Sequence, residues 1–233
     1  MIVLISKLVK ILNRFFHQQK FSLKHVFALI SFIFVIWSLY RYLPQILPLW
    51  AEELILKPLV WLLPTFLLVR KIEKQPFSSL GFNNKKIFPA IYWGIGLGLV
   101  FAFEGLLTNI LKYKGLNLVP LDYSPLAFLG IFSLSLVTAF SEETVFRGYL
   151  FNRLWQVWKN EGLANIVSSF LFTLVHLPMG LFVLSYSPLV LFVYLFFVFI
   201  FAFGSAFVFG RTKNIISSIL LHLFWSWPIV LFR

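Results

Sequence analysis

Seven apolar runs, separated by short connections rich in Lys, Arg, Gly and Pro, dominate this sequence. They cover residues 26–42, 54–69, 87–111, 125–158, 163–177, 188–209 and 215–232. A helix rising 1.5 Å per residue needs roughly 20 mostly apolar residues to cross a bilayer core of about 30 Å. Inside lipid a backbone has no water to bond, so such a run must pair its own N–H and C=O groups as a helix. The expectation is an all-α, polytopic transmembrane helix bundle of about seven spans. Runs 26–42, 54–69 and 163–177 are short, which brackets the count at six to eight. Composition agrees: 60% of residues are hydrophobic, only 12% are charged, and mean hydropathy is +0.90. A soluble domain is nearer half apolar and a quarter charged.

Charge is the second constraint. Lys and Arg number 20 against 8 acidic residues, a formal charge of +12. Such a balance in a soluble chain would suggest nucleic acid, but there is no RNA-recognition or helix-turn-helix pattern. The basic residues gather between the apolar runs, where they set topology and meet anionic headgroups. Membrane lipids are therefore expected partners and nucleic acid is not. Alternate connections differ sharply in Lys and Arg. One side has the N-terminal arm (Lys7, Lys10, Arg14, Lys20, Lys24), the 70–86 connection, Arg153 with Lys159, and Arg211 with Lys213. The other has Arg41, Lys57, Lys112, Lys114 and Arg233. The positive-inside rule then places the N-terminus in the cytoplasm. Short loops suggest a multi-pass protein of a prokaryotic plasma membrane. Residues 1–25 read as a basic arm, with 1–16 suited to an amphipathic helix lying on the membrane. Residues 26–233 read as a single transmembrane domain. The absence of Cys excludes disulfides, Cys-ligated zinc and a Cys nucleophile.

Ionisable residues inside spans are costly and mark candidate sites. The fourth run contains Ser141-Glu142-Glu143-Thr144-Val145-Phe146-Arg147-Gly148. Glu143 and Arg147 are four apart, so they can pair along one helix face. Glu142 points about 100° away, free to face a polar cavity as a general base. His176 in the fifth run and His222 in the seventh can converge on the same water. There they would stabilise an oxyanion, or join Glu142 as ligands of a divalent metal such as zinc. No HExxH motif is present, so a standard zincin is not indicated. Glu104 is a further intramembrane acid, read equally as cavity lining or as a protonated bystander.

The order Glu142-Glu143…Arg147, extended by Gly148-Tyr149-Leu150, then Phe172…His176, then His222…Ser226, resembles the CPBP family of CAAX proteases and bacteriocin-processing enzymes, also called Abi. The segment 77–82, Phe-Ser-Ser-Leu-Gly-Phe, is similar to a short feature of that family upstream, and the family-like core runs over about 125–230. The resemblance implies intramembrane hydrolysis of a peptide bond in a membrane-embedded or lipidated substrate. It implies Glu142 as the water-activating base and His176 and His222 as oxyanion stabilisers or metal ligands. It implies Glu143, Arg147 and Ser226 as supporting residues. Ser226 stands where the family usually has Asn or Asp, a shorter and weaker donor. That departure supports an alternative, a non-catalytic immunity or scaffold protein on the same fold.

Overall fold

The computed structural model describes residues 23–44, 46–118 and 124–231. Among these residues it is all helix and turn, with seven helices. α1 is Leu23–Tyr42, α2 covers 49–72, α3 is Ile87–Tyr113 and α4 is Pro125–Trp158. α5 is Glu161–Val183, α6 is Pro188–Thr212 and α7 is Ile215–Leu231. Five of them, α1, α3, α4, α5 and α6, are long and apolar enough to cross a membrane. The helical bundle expected from the apolar runs is thus present. The expected amphipathic helix falls on residues outside those described.

Two helices extend further than their apolar runs suggest. Pro178 and Gly180 predict a break after the fifth run, yet α5 passes through Pro178 and ends in a π-helical turn, Met179–Val183. The amide of Leu184 reaches back to the carbonyl of Met179 at 2.9 Å. A π turn is wider than an α turn and absorbs the missing proline N–H and its bulk. α2 does the same around Pro58, with π segments Glu52–Leu56, Pro58–Leu62 and Leu68–Ile72. It begins before Glu52 and Glu53 instead of after them, because their charges are paired inside the bundle.

α3 and α7 meet through small residues. A Cβ on Gly94 would lie 2.6 Å from the Ser217 carbonyl, and one on Gly98 would lie 2.8 Å from Phe224 Cβ. This Gly-x-x-x-Gly spacing lets two backbones approach closely where lipid gives no hydrophobic drive to helix pairing. The spacing is visible in the sequence, although the apolar pattern alone does not single it out. The aromatic core lies toward the end of the bundle where α2, α4 and α6 finish. Phe146, Tyr149, Phe151, Phe172, Phe201 and Phe209 are all fully buried. The 77–82 segment folds over that end as a short 3₁₀ turn, Phe77–Leu80, closed by Gly81 at φ +91°. A Cβ on Gly148 would meet the Leu80 carbonyl at 2.7 Å. The Gly after Arg147 and the upstream segment are therefore two sides of one contact.

Gly94→Leu should force α3 off α7 and lower the melting temperature in detergent, at the scale of an overpacked core, about 1–3 kcal/mol. A Cβ on Gly96 would have no neighbour within 4 Å, so Gly96→Leu should leave the melting temperature unchanged. Equal effects of the two substitutions would contradict this packing.

Candidate active site

Glu142 and Glu143 are the last residues of the regular α-helical part of α4, Pro125–Glu143. A π-helical stretch, Thr144–Phe151, follows at once. Single-turn π distortions often accompany functional sites because they re-aim side chains. Here both carboxylates are buried, on different sides of the helix.

Glu143 faces inward and its two oxygens are fully used. Oε1 accepts from His222 Nδ1 at 2.7 Å. Oε2 accepts from Ser205 Oγ at 2.6 Å and pairs with Arg147 Nε at 3.1 Å. Arg147 donates onward to the Ala202 carbonyl at 3.3 Å. Its guanidinium carbon sits 4.4 Å from the Phe172 ring centroid, within cation–π range. The i, i+4 pairing read from the sequence is thus formed. It reaches further, tying α4 to α6 and α7.

Glu142 faces a cavity of about 760 Å³, which His176, His222, Ser226 and Glu104 also line. Glu142 Oε2 stands 3.9 Å from His176 Nε2 and 4.0 Å from His222 Nε2. Those separations are too long for direct hydrogen bonds and leave space for one water among the three groups. His176 Nδ1 lies 2.9 Å from the carbonyl of Phe172. A carbonyl only accepts, so Nδ1 carries the proton there, and the carboxylate of Glu143 fixes His222 Nδ1 in the same way. Both rings therefore present Nε2 toward Glu142 and the cavity. The Phe-x-x-x-His spacing has a physical basis: Phe172 orients His176 through its carbonyl and packs against the imidazole, with ring centroids 4.4 Å apart.

The sequence suggests a Glu142 without a partner, and the structure corrects this. Lys57 Nζ lies 3.0 Å from Glu142 Oε1 and 2.6 Å from Glu53 Oε2. Thr138 Oγ1 in turn donates to Glu53 at 2.5 Å. The charge pattern places Lys57 and Arg41 in outer connections, but both are buried. Arg41 pairs with Glu52. A signal exists in the sequence: two acids and a Lys at 52, 53 and 57 carry the same cost inside an apolar run as Glu142 and Glu143 do. Proximity to the expected end of a span hides it. Glu104 accepts from Thr108 Oγ1 at 2.9 Å on the cavity wall. Ser226 lies on the wall too, but its hydroxyl donates to the Leu223 carbonyl of its own helix at 3.1 Å.

Two imidazole nitrogens and a carboxylate are donor types that zinc accepts. Their spacing does not fit, since no group of three or more His, Asp or Glu among the described residues is close enough to hold a metal. The Lys57 ammonium also already stands against the one carboxylate such an ion would need.

Removing Lys57 would leave Glu53 and Glu142 buried with no cation between them. Breaking a buried pair from one side costs about 3–5 kcal/mol. Lys57→Met should therefore lower the melting temperature strongly, and Lys57→Met with Glu53→Gln should recover part of the loss. Additive losses in the double variant would contradict the pairing.

No curated protein and no solved structure matches the chain. A family model described as type II CAAX prenyl endopeptidase Rce1-like matches residues 124–228. That stretch contains Glu142, Glu143, Arg147, His176, His222 and Ser226, while Lys57 and Glu53 lie before it. The chain thus has the helices of a multi-pass integral membrane protein, and its segment 124–228 is similar to the Rce1-like family of CAAX prenyl endopeptidases.

Proposed function

We propose that the protein is an intramembrane endopeptidase of the CAAX type, hydrolysing a peptide bond in a membrane-embedded or lipidated substrate. The observation that carries this reading is the convergence of Glu142, His176 and His222 at the inner end of a cavity within the bundle. Glu142 takes a proton as the water oxygen attacks the scissile carbonyl carbon. The carbonyl oxygen becomes an oxyanion facing the histidine Nε2 atoms. Glu142 then delivers the proton to the amide nitrogen, the C–N bond breaks, and a carboxylic acid and an amine form, the acid then passing its proton to the amine.

The charges around the histidines are uneven. Glu53, Glu142 and Glu143 bring three carboxylates, while Lys57 and Arg147 bring two cations. An oxyanion needs a donor, so the imidazole that faces it must carry a proton on Nε2 as well as on Nδ1. Glu143 positions His222 and does not touch the water. Nothing in this cycle requires a metal.

Ser226 favours a second reading. Its hydroxyl proton is spent on its own helix, which leaves one fewer donor to the substrate carbonyl than an Asn amide would supply. On that reading the cavity binds a peptide without cutting it, and the protein is a membrane immunity or scaffold factor.

The two readings separate in a cleavage assay with purified protein and quenched hydrophobic and lipidated peptides. The expected result is cleavage by the wild type, unchanged by chelator. Glu142→Gln should reduce it by about 10²–10⁴-fold, the usual worth of a positioned acid or base, while the variant remains folded and monodisperse in detergent. Ser226→Asn should raise the rate. Wild-type protein that folds, binds these peptides and leaves them intact would establish the non-catalytic reading.

A further inference from the structure

We propose that the site is reached only from the end of the bundle opposite its basic face. The substrate of the hydrolysis proposed above is then a polypeptide segment presented on the non-cytoplasmic side, from an exported peptide or the outer part of a membrane-anchored chain. The word substrate rests on that proposed function; the direction of access rests on geometry and charge alone.

The seven helices run alternately up and down, so the bundle has two ends. The cavity reaches only one of them. Its outermost lining residues, Leu49, Tyr113, Leu184 and Tyr186, lie where α2 begins, where α3 finishes and in the connection between α5 and α6. Lys57 is eight residues into α2 and His176 seven residues before the end of α5, so both sit about 11–12 Å below that mouth. The inner limit is Trp61, Glu142 and His222.

Toward the other end the way is closed. Phe146, Tyr149, Phe151, Leu154 and Phe209 fill it and are fully buried. Above them the 73–86 connection is pinned to the helix ends. Arg153 Nε pairs with Glu73 at 2.8 Å, and Asn214 Nδ2 donates to the carbonyls of Asn83 and Lys85 at 2.9 Å each.

This closed end is the basic one. Among the described residues it carries Lys24, the five Lys and Arg of the 70–86 connection, Arg153 with Lys159, and Arg211 with Lys213. At the cavity end, Arg41 and Lys57 are consumed in buried ion pairs, which leaves Lys112 and Lys114 in the described connections. Correcting those two placements sharpens the asymmetry. The positive-inside rule puts the basic, closed end in the cytoplasm. A peptide held in the cytoplasm would meet an aromatic plug, whereas one arriving from the far side meets an open, polar-walled cavity.

The chain contains no Cys, so single introduced cysteines report without background. Three positions suffice: Asn84→Cys in the basic connection, Leu116→Cys in the connection at the cavity end, and Thr108→Cys on the cavity wall. All three native side chains are exposed, Thr108 toward the cavity. Lys74→Cys and Lys114→Cys repeat the two connections should a first variant fail to fold. Intact cells are treated with a membrane-impermeant maleimide, then permeabilised and treated again. The expected result is labelling of Leu116→Cys and Thr108→Cys in intact cells, and of Asn84→Cys only after permeabilisation. Reversal of the two connections would overturn the proposal. So would Thr108→Cys that is labelled only along with Asn84→Cys, or not at all. Failure here leaves the hydrolase standing if purified wild type still cleaves, and failure to cleave leaves the labelling result intact.

Discussion

The carboxylate of Glu143 is the interaction on which the rest of the site depends. It is fully buried, and it accepts from His222 on α7, Ser205 on α6 and Arg147 one turn along its own helix. An unpaired carboxylate at that depth would be untenable, and the three donors together make it a fixed point. From it the other placements follow. His222 is held with Nδ1 inward and Nε2 toward the cavity. Arg147 is held against Phe172, whose carbonyl sets His176 in the matching orientation. Glu142, one residue earlier on the helix, must then point away from this clamp and into the cavity. The adjacent pair of acids therefore points two ways: Glu143 holds His222, and Glu142 faces the cavity.

Much of this is legible in the sequence. Apolar length implies the bundle, because a span in lipid has no alternative to helix. Glu142, Glu143 and Arg147 announce themselves by their cost in an apolar run, and the structure brings His176 and His222 to them as expected. What the sequence hides has physical causes. Pro178 looks like a helix breaker, whereas a π turn carries α5 past it. A second span that starts only after Glu53 leaves Glu53 and Lys57 at the membrane edge, so the cation that balances Glu142 goes unseen. A long-range pair such as Lys57 with Glu142, separated by 85 residues, leaves no periodic trace, and only the fold reveals it.

The family segment and the site are not coextensive. Residues 124–228 supply the acids and both histidines, but the cation on Glu142 and much of the cavity wall come from α2 and α3. The segment carries the candidate site residues, and the preceding helices set their charge environment and part of the cavity wall. Ser226 belongs to the first part and departs from the usual pattern. Glu53, Lys57, Glu104 and Thr108 belong to the second and line the same cavity.

The central claim is that Glu142 activates water and does not itself attack the peptide. Single-turnover cleavage in H₂¹⁸O, with enzyme in excess and mass analysis of both product and protein, tests it directly. The account predicts one ¹⁸O in the new product carboxylate and none in Glu142. Label in the Glu142 side chain after one turnover would show an acyl-enzyme on that carboxylate and would contradict it.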